Sequence, residues 1–302
     1  MANELVSVVI PAFNREAVIG RALKSALRQT YDNLEIIVVD DASSDNTLGV
    51  VESFQDARIV YLRHETNRFA AAARNTAMRV ARGKYIAFLD SDDEWLPNKI
   101  EQQVTKLQSL GDEWGCIYTG AYVFKDDAKS GSLYSPVLNG HILAPFLLKK
   151  TTIFTPTFAF RREVLDTIGL MDESLRRCQD LDFYIRILER YKVAVIPEPT
   201  TNIYLDTIKP LSSAGVASKR ALLEKHKQKI DALGFWNSRR LYSAEEYLLA
   251  KLALNEGRLM SGLSSWLKSV WLNPLQKPQR HLSITYSALL GLRRRIKRQA
   301  TT

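Results

Sequence analysis

Short apolar runs alternate with amphipathic stretches through the first part of the chain. Val6 to Ile10 is a continuous apolar run followed by Pro11. Glu35 to Val39, Arg58 to Leu62 and Tyr85 to Leu89 repeat its length and composition, as buried strands do. Between them, Glu16 to Gln29 sets Ile19, Ala22, Leu23, Ala26 and Leu27 on one helical face, and Ser43, Ser44 and Asp45 offer N-cap chemistry for a helix through Phe54. Ala70 to Ala81 is an alanine-rich helix, and Leu96 to Leu107 predicts another with Pro97 at an early, tolerated position. This alternation implies βαβ units and a Rossmann-like α/β fold, a mostly parallel sheet flanked by helices.

The middle is less regular. Cys116 to Phe124 and Thr155 to Arg161 predict strands, with a polar loop from Lys125 to Gly140. Gln179 to Arg190 carries Leu181, Tyr184, Ile185 and Leu188 at helical spacing, before a short strand from Val193 to Ile196. From about Val216 the pattern becomes helix after helix: Lys219 to Leu233 (closed by Gly234), Ala244 to Leu259, Ser261 to Leu272 and Leu282 to Arg298. The expected domains are therefore residues 1–215, α/β, and residues 216–302, a basic all-helical C-terminal extension.

Charge sharpens that boundary. Met1 to Ser218 hold 25 Lys/Arg against 28 Asp/Glu, whereas Lys219 to Thr302 hold 17 against 5. The whole basic excess lies in the last quarter, which points to an anionic partner for the tail. LSITYSALLGLRRRIKR, Leu282 to Arg298, joins an apolar segment to basic residues, with Trp236, Trp266 and Trp271 upstream. Two uses fit: attachment to an anionic membrane surface, or a solvated bundle packed on the catalytic domain. No nucleic-acid motif accompanies the charge, so no nucleic acid is expected. Two cysteines, Cys116 and Cys178, make no disulfide framework and no Cys/His zinc cluster, which suits a reducing, cytoplasmic compartment. No signal peptide precedes the first strand, and no apolar run approaches the roughly 20 residues that span a bilayer.

The candidate chemistry sits at strand ends. Tyr85 to Trp95 reads YIAFLDSDDEW, a buried strand releasing Asp90, Ser91, Asp92 and Asp93 together. Ligands of open α/β sheets bind beyond the carboxyl ends of strands, so a divalent cation and a phosphate would neutralise these acids. A solvated acidic turn capping the next helix is the plainer alternative.

VSVVIPAFNRE, VVDDASSDNT, NRFAAAARNTAMRVARGKYIAFLDSDDEWLPNKIEQQ, FAFRREVLDTIGLMDESL and QDLDFYIRIL follow one another in that order. Together they resemble a family-2 glycosyltransferase with a GT-A fold. The resemblance implies an inverting, metal-dependent transfer from a nucleotide-sugar donor, UDP-linked, to a hydroxyl of a glycan or lipid-linked acceptor in cell-surface polysaccharide or glycolipid synthesis. It implies that Asp41, with Asp40 beside it, accepts a hydrogen bond from the base, an N-cap or Asx-turn being the local alternative. Pro11, Ala12 and Phe13 would wall the base, although Phe13 also suits a plain core position. Arg74 would contact the nucleotide or its phosphates. Asp92 would ligate Mn2+ or Mg2+ directly, Asp90 would touch the ribose or a metal-bound water, and Asp93 would orient sugar or acceptor, with Ser91 between them. Asp180 would be the general base. Asp182, two residues on, points elsewhere and is structural, and Arg186 would pair with a carboxylate.

Three departures stand out. Relatives commonly carry glycine after the asparagine where this chain reads Asn67, Arg68 and Phe69. They often read Glu-Asp where it has Gln179 and Asp180. After the last strand they carry a histidine able to complete a metal shell, whereas Asn202 to Ser213 reads NIYLDTIKPLSS. A water or Asp206 fills that position, or metal binding is weakened. His64, His141, His226 and His281 lie in no motif and are expected in core or surface roles. A nucleotide-sugar or glycan-binding scaffold without turnover, and a nucleotidyltransferase, are the rival function classes. The tail and a lipid-linked acceptor would place the protein at the inner face of the plasma membrane.

Overall fold

The computed structural model describes residues 3–125, 130–205 and 213–274. The chain divides into two compact units, Met1–Ser174 with Gln179–Lys209, and Leu175–Cys178 with Pro210–Thr302.

The first unit opens with the anticipated alternation: β1 (Val6–Ala12), α1 (Ile19–Leu27), β2 (Leu34–Asp40), α2 (Thr47–Glu52), β3 (Ile59–Arg63), α3 (Phe69–Val80) and β4 (Tyr85–Phe88). There follow β5 (Glu94–Trp95), α4 (Lys99–Gln108), β6 (Trp114–Lys125), β7 (Ser132–Tyr134), α5 (Leu143–Leu147), β8 (Ala159–Arg161), α6 (Val164–Ile168), α7 (Gln179–Arg190) and β9 (Lys192–Leu205). Among the described residues they form one nine-stranded sheet in the order β3-β2-β1-β4-β8-β6-β9-β5, with β7 on β6. β3, β2, β1 and β4 are mutually parallel, β8 runs antiparallel to β4 and β6, and β6 and β9 are parallel again. β1, β2 and β4 are apolar apart from Ser7, Glu35 and Asp40, because almost every residue in them is buried.

Two packing features fix the sheet's ends. At the amino ends of β1 and β2, the buried Glu35 carboxylate accepts from Ser7 Oγ at 2.6 Å and from the Arg82 amide at 2.7 Å, with Arg82 Nε at 2.9 Å. A Cβ on Gly83 would stand 2.6 Å from the Ser7 nitrogen, so only glycine lets the α3–β4 turn close there. On one face, an aromatic cluster binds α7 to the strands. Phe88 of β4 lies 5.5 Å from Phe160 of β8, Phe160 lies 5.5 Å from Phe183 of α7, and Phe158 lies 4.7 Å from Tyr184. Tilted and edge-on ring pairs of this kind add directional preference to plain burial, and they set the roll of α7.

The structure differs from the sequence expectation where long-range bonds override local signals. α1 begins three residues later than its apolar pattern, because the amides of Asn14, Arg15 and Glu16 donate to Ser43, Thr47 and Asp45 instead of opening a helix. The helix expected from Leu96 starts at Lys99, since Glu94 and Trp95 pair with Asn202 and Thr201 of β9. Thr155–Thr157 is one turn of 3-10 helix rather than strand, and β7 lies inside the stretch expected to be loop. β9 is far longer than Val193 to Ile196, and its register along β6 breaks at Gly120, whose Cβ would meet the Pro197 carbonyl at 2.3 Å.

The second unit comprises α8 (Ser213–Lys225), α9 (Lys227–Asp231), α10 (Phe235–Asn255) and α11 (Leu259–Leu272). The single helix expected over Lys219 to Leu233 is broken at His226. Gly234, at φ +92°, separates α9 from α10 in a conformation that favours glycine. α10 and α11 pack through Ala250 and Leu254 against Tyr247, Leu259 and Trp266, and Ser243 and Ser269 each donate to the other's carbonyl. The expected helix from Leu282 to Arg298 lies outside the described residues.

Lys99 is fully buried on α4, its Nζ donating to Gln103 Oε1 at 2.7 Å and lying 4.0 Å from the Trp95 ring centre. Burial pushes its pKa well below the usual lysine range. Between the folded and unfolded pKa values the unfolded chain binds the extra proton, so this residue makes stability rise with pH until about pH 10. Thermal melts from pH 7 to 10 are expected to show that rise in the wild type and a flatter profile in Lys99→Met.

Candidate active site

The parallel register carries three chain segments to one edge of the sheet. Ala12 pairs with Asp40 and Val9 with Phe88, so β1, β2 and β4 release Pro11–Ala12, Asp40–Asp41 and Asp90–Asp93 at neighbouring points. The Asp41 amide donates to the Ala12 carbonyl at 2.8 Å and the Leu89 amide to the Val9 carbonyl at 3.0 Å, extending the ladder to the brink of each loop. Beyond that edge is a cleft of about 480 Å³, within the usual size of small-molecule sites. Pro11, Ala12, Phe13, Asp41, Arg74, Asp90, Ser91 and Asp92 all line it, together with Arg15, Phe69 and Gln179. Eight residues singled out in the sequence thus share one cleft. Phe13 is 43% exposed there, which rules out the core alternative.

Asp41 is buried, and its carboxylate is well bonded. Oδ1 lies 2.7 Å from His64 Nδ1 and accepts the Arg68 amide at 2.8 Å, and Oδ2 accepts the Phe69 amide at 2.6 Å. His64 Nε2 stands 2.9 Å from Thr76 Oγ1 on α3. One carboxylate therefore ties the end of β2 to the start of α3, and a carboxylate oxygen with a single bond retains a free lone pair for a ligand.

Arg74 projects from α3 with only 6% of its surface exposed and pairs with Asp90. Its Nε is buried without a hydrogen-bond partner, as is Oε1 of Gln179, which lines the same cleft. A buried unpaired guanidinium N–H beside a cleft is a donor awaiting an acceptor. Asp92, 31% exposed, has Arg15 3.7 Å from its carboxylate, and its carbonyl accepts from Arg21. Arg21 also stacks 3.7 Å over the Tyr204 ring. Asp180, at the start of α7, is held by the aromatic cluster close enough to Arg74 and Asp90 for their charges to act on it. Burial pushes its carboxyl above the ordinary range, with Arg74 opposing and Asp90 reinforcing the shift. Arg186 pairs with the buried Asp182 at 2.9 Å and donates to the Ile168 and Leu170 carbonyls, so both are structural as expected.

Two of the expected residues are turned inward. Asp40 is fully buried and does not line the cleft: it accepts from the Ser43 amide at 2.8 Å and from the Tyr61 hydroxyl, and Arg63 lies 3.8 Å away. It braces the loop from behind. Asp93 is likewise turned inward, accepting the Tyr204 amide at 2.8 Å. Burial and the neighbouring charge of Asp90 push its carboxyl well above the ordinary range. It anchors the loop to β9.

Sequence inspection missed Arg15, Arg21 and Tyr204, and gave His64 no more than a core or surface role. Arg15 was within reach, since it lies in the PAFNRE segment whose neighbours were singled out. The others depend on contacts with distant elements that no local pattern announces.

Among the described residues no three His, Cys, Asp or Glu side chains come together as a metal cage. Mn2+ and Mg2+ in nucleotide sites need only one or two carboxylates beside the phosphates. Asp90 and Asp92, oxygen donors lining the cleft, fit that lighter requirement, and Asp206 lies outside the described residues.

A curled, mostly parallel sheet with acidic residues at its carboxyl edge is the GT-A architecture. The crystal structure of S. aureus TarS 1-349 in complex with UDP-GlcNAc has the same fold, with a TM-score of 0.65 at 16% identity over 98% of this chain and 92% of that one. The model of glycosyl transferase family 2 matches residues 7–169. The UDP-Glc:alpha-D-GlcNAc-diphosphoundecaprenol beta-1,3-glucosyltransferase WfaP of Escherichia coli is 41% identical over 133 residues, 44% of this chain and 52% of that protein. The putative colanic acid biosynthesis glycosyl transferase WcaA, also of Escherichia coli, is 33% identical over 196 residues, 63% of this chain and 68% of that protein. The chain belongs to glycosyl transferase family 2. The match spans about half the length of the diphosphoundecaprenol glucosyltransferases.

If His64 braces Asp41, His64→Ala should lower unfolding stability by about 1–3 kcal/mol, the cost of leaving a buried carboxylate short of a partner. Urea unfolding followed by tryptophan fluorescence measures it.

Proposed function

We propose that the protein is an inverting, metal-dependent glycosyltransferase that moves a sugar from a UDP-sugar to a hydroxyl of a lipid-linked glycan acceptor in surface polysaccharide synthesis. Catalysis is assigned to the α/β unit, residues 1–215. The observation that carries this reading is the convergence of Asp41, Arg74, Asp90 and Asp92 on one cleft, next to a carboxyl of raised pKa at Asp180. Diphosphoundecaprenol-linked acceptors and UDP-Glc appear in the names of two relatives, and UDP-GlcNAc in the complex of the TarS neighbour, which supports the donor and acceptor classes.

Asp41 meets the edge of the base, between the walls made by Pro11, Ala12 and Phe13. The unpaired Nε of Arg74 donates to a phosphate or ribose oxygen, and Ser91 lies beside the diphosphate. Asp92, with Asp90, would hold Mn2+ or Mg2+, whose charge offsets that developing on the departing UDP. Asp180 takes the proton of the acceptor hydroxyl as that oxygen attacks the anomeric carbon. The carbon–oxygen bond to the diphosphate breaks on the opposite side, which inverts the centre. A raised pKa makes Asp180 a stronger base than an ordinary carboxylate.

Asp180→Asn is expected to cut transfer by about a hundred- to ten-thousand-fold while leaving UDP affinity within a few-fold. Normal turnover by that variant removes the base assignment. Loss of Mn2+-dependent transfer in Asp92→Ala would separate an enzyme from a scaffold, and release of pyrophosphate instead of UDP would identify a nucleotidyltransferase.

The second unit is assigned to peripheral attachment at the cytoplasmic membrane face. No described helix is long and apolar enough to cross a membrane. On α11, Met260, Leu263, Leu267 and Trp271 are exposed at helical spacing, with Arg239 4.4 Å over the Trp271 ring. An apolar stripe edged by tryptophan and arginine suits a bilayer interface. Co-sedimentation with vesicles containing anionic lipid should weaken several-fold in the double variant Leu267→Ser, Trp271→Ser. Unchanged binding would remove the stripe from the membrane contact.

A further inference from the structure

A second cavity, of about 500 Å³, shares no lining residue with the first. Arg21 and Lys24 of α1 and its C-cap Arg28 line it, together with Glu94 of β5, Leu96 and Pro97. Long-range bonds fix these walls against each other. The Trp95 amide donates to Ser25 Oγ at 3.1 Å, Gln29 Nε2 to the Leu96 carbonyl at 2.8 Å, and the Thr30 amide to the Pro97 carbonyl at 2.8 Å. The cavity is thus preformed, as small-molecule sites usually are.

Its charge is one-sided. Spacings of three and four residues set Arg21, Lys24 and Arg28 on one helical face, where like charges repel. The helix dipole offsets that repulsion for Lys24 and Arg28 at the carboxyl end, but adds to it for Arg21 in the first turn. Among the described residues none of the three forms an ion pair. Glu94, the one acid in the wall, is engaged elsewhere: it accepts from Asn202 Nδ2 at 3.0 Å and from the Tyr204 hydroxyl at 3.2 Å. Arg21 donates to the Asp92 carbonyl and lies over the Tyr204 ring, yet its Nε is buried with no hydrogen-bond partner. The cluster does not echo a basic chain, since acids outnumber bases from Met1 to Ser218. An orphaned buried donor beside two unpaired cations calls for an anion that the protein itself does not supply.

We propose that this cavity is a second ligand site, one that takes a phosphate ester on Arg21, Lys24 and Arg28. Two guanidinium forks and an ammonium match the several oxygens and the double charge of a phosphate better than they match a lone carboxylate. The volume leaves room for the group that the phosphate esterifies, and Leu96 and Pro97 offer that group apolar contact. A soluble phosphate ester and a phospholipid headgroup both present this chemistry. The site stands apart from the nucleotide-sugar reading of the first cleft, although Arg21 sets it against the loop that bears Asp92.

The test compares wild type with the double variant Lys24→Ala, Arg28→Ala, whose replaced side chains are exposed. Glycerol 3-phosphate is titrated calorimetrically in low-salt buffer, with UDP and Mn2+ present to occupy the first cleft. Wild type should bind it, and the double variant should lose roughly ten-fold or more in affinity, the order expected for removing charge-assisted bonds. UDP affinity should be unchanged, and the unliganded variant should melt no lower than wild type, because two repelling charges are gone. Sedimentation with phosphatidylcholine vesicles, with and without phosphatidylglycerol, separates the sources. A loss confined to glycerol 3-phosphate assigns the site to a soluble ester, and a loss confined to phosphatidylglycerol vesicles assigns it to a headgroup. Equal behaviour of the two proteins toward both probes overturns the proposal. So does a marked fall in the variant's melting temperature, which would make the cations structural, or an equal loss of UDP affinity, which would merge the two cavities. A wild type that binds glycerol 3-phosphate but not UDP leaves this site standing and removes the donor reading instead.

Discussion

Carboxylates gather at one edge of this sheet because β2, β1 and β4 run parallel and in register, with Ala12 opposite Asp40 and Val9 opposite Phe88. A slip of one residue in any of the three would turn buried side chains outward and move an acidic loop away from the other two. The Glu35 bracket at the opposite end opposes such a slip, since it joins β1, β2 and the turn before β4 through one buried carboxylate. The cleft is in this sense the far end of a device that begins at Ser7.

Charge in the cleft is arranged in pairs that a ligand can rearrange. Arg74 neutralises Asp90 and Arg15 stands near Asp92, so the acids can lie close together without a cation bound. Interaction with a nearby opposite charge favours the ionised carboxylate, whereas burial works against it. Burial is what acts most on Asp93 and Asp180, whose carboxyls are both pushed above the ordinary range. Asp90 and Asp92 thus face arginines, whereas Asp93 and Asp180 sit where the neutral acid is favoured.

The α/β half was legible because a strand buried on both faces prints an apolar run, and Val8 to Ile10 and Ile36 to Val39 are such runs. Asp90 and Asp92 were legible because acids released at the end of a buried strand have few structural uses. What stayed hidden was set by partners far away in sequence. Asp40 and Asp41 are adjacent and chemically identical, yet one turns toward Tyr61 and the other toward the cleft. Only the placement of β3 and α3 decides between them. β5 resembled a helix start because its pairing partner, Thr201 to Asn202, lies more than a hundred residues on. Phe69 takes a left-handed backbone, φ +69°, because its amide and that of Arg68 turn toward Asp41, a partner no local pattern announces.

The inward turn of Asp93 has a mechanical consequence. Its carboxyl holds the Tyr204 amide, while Arg21 grips the Asp92 carbonyl and lies across the Tyr204 ring. The acidic loop and the last residues of β9 are therefore stitched into one body by three contacts. Any ligand that draws Asp92 forward also draws on the strand end from which the chain leaves the sheet. A pull on the Asp92 carbonyl is therefore shared with the end of β9 through Arg21 and Tyr204 as well as through the chain itself.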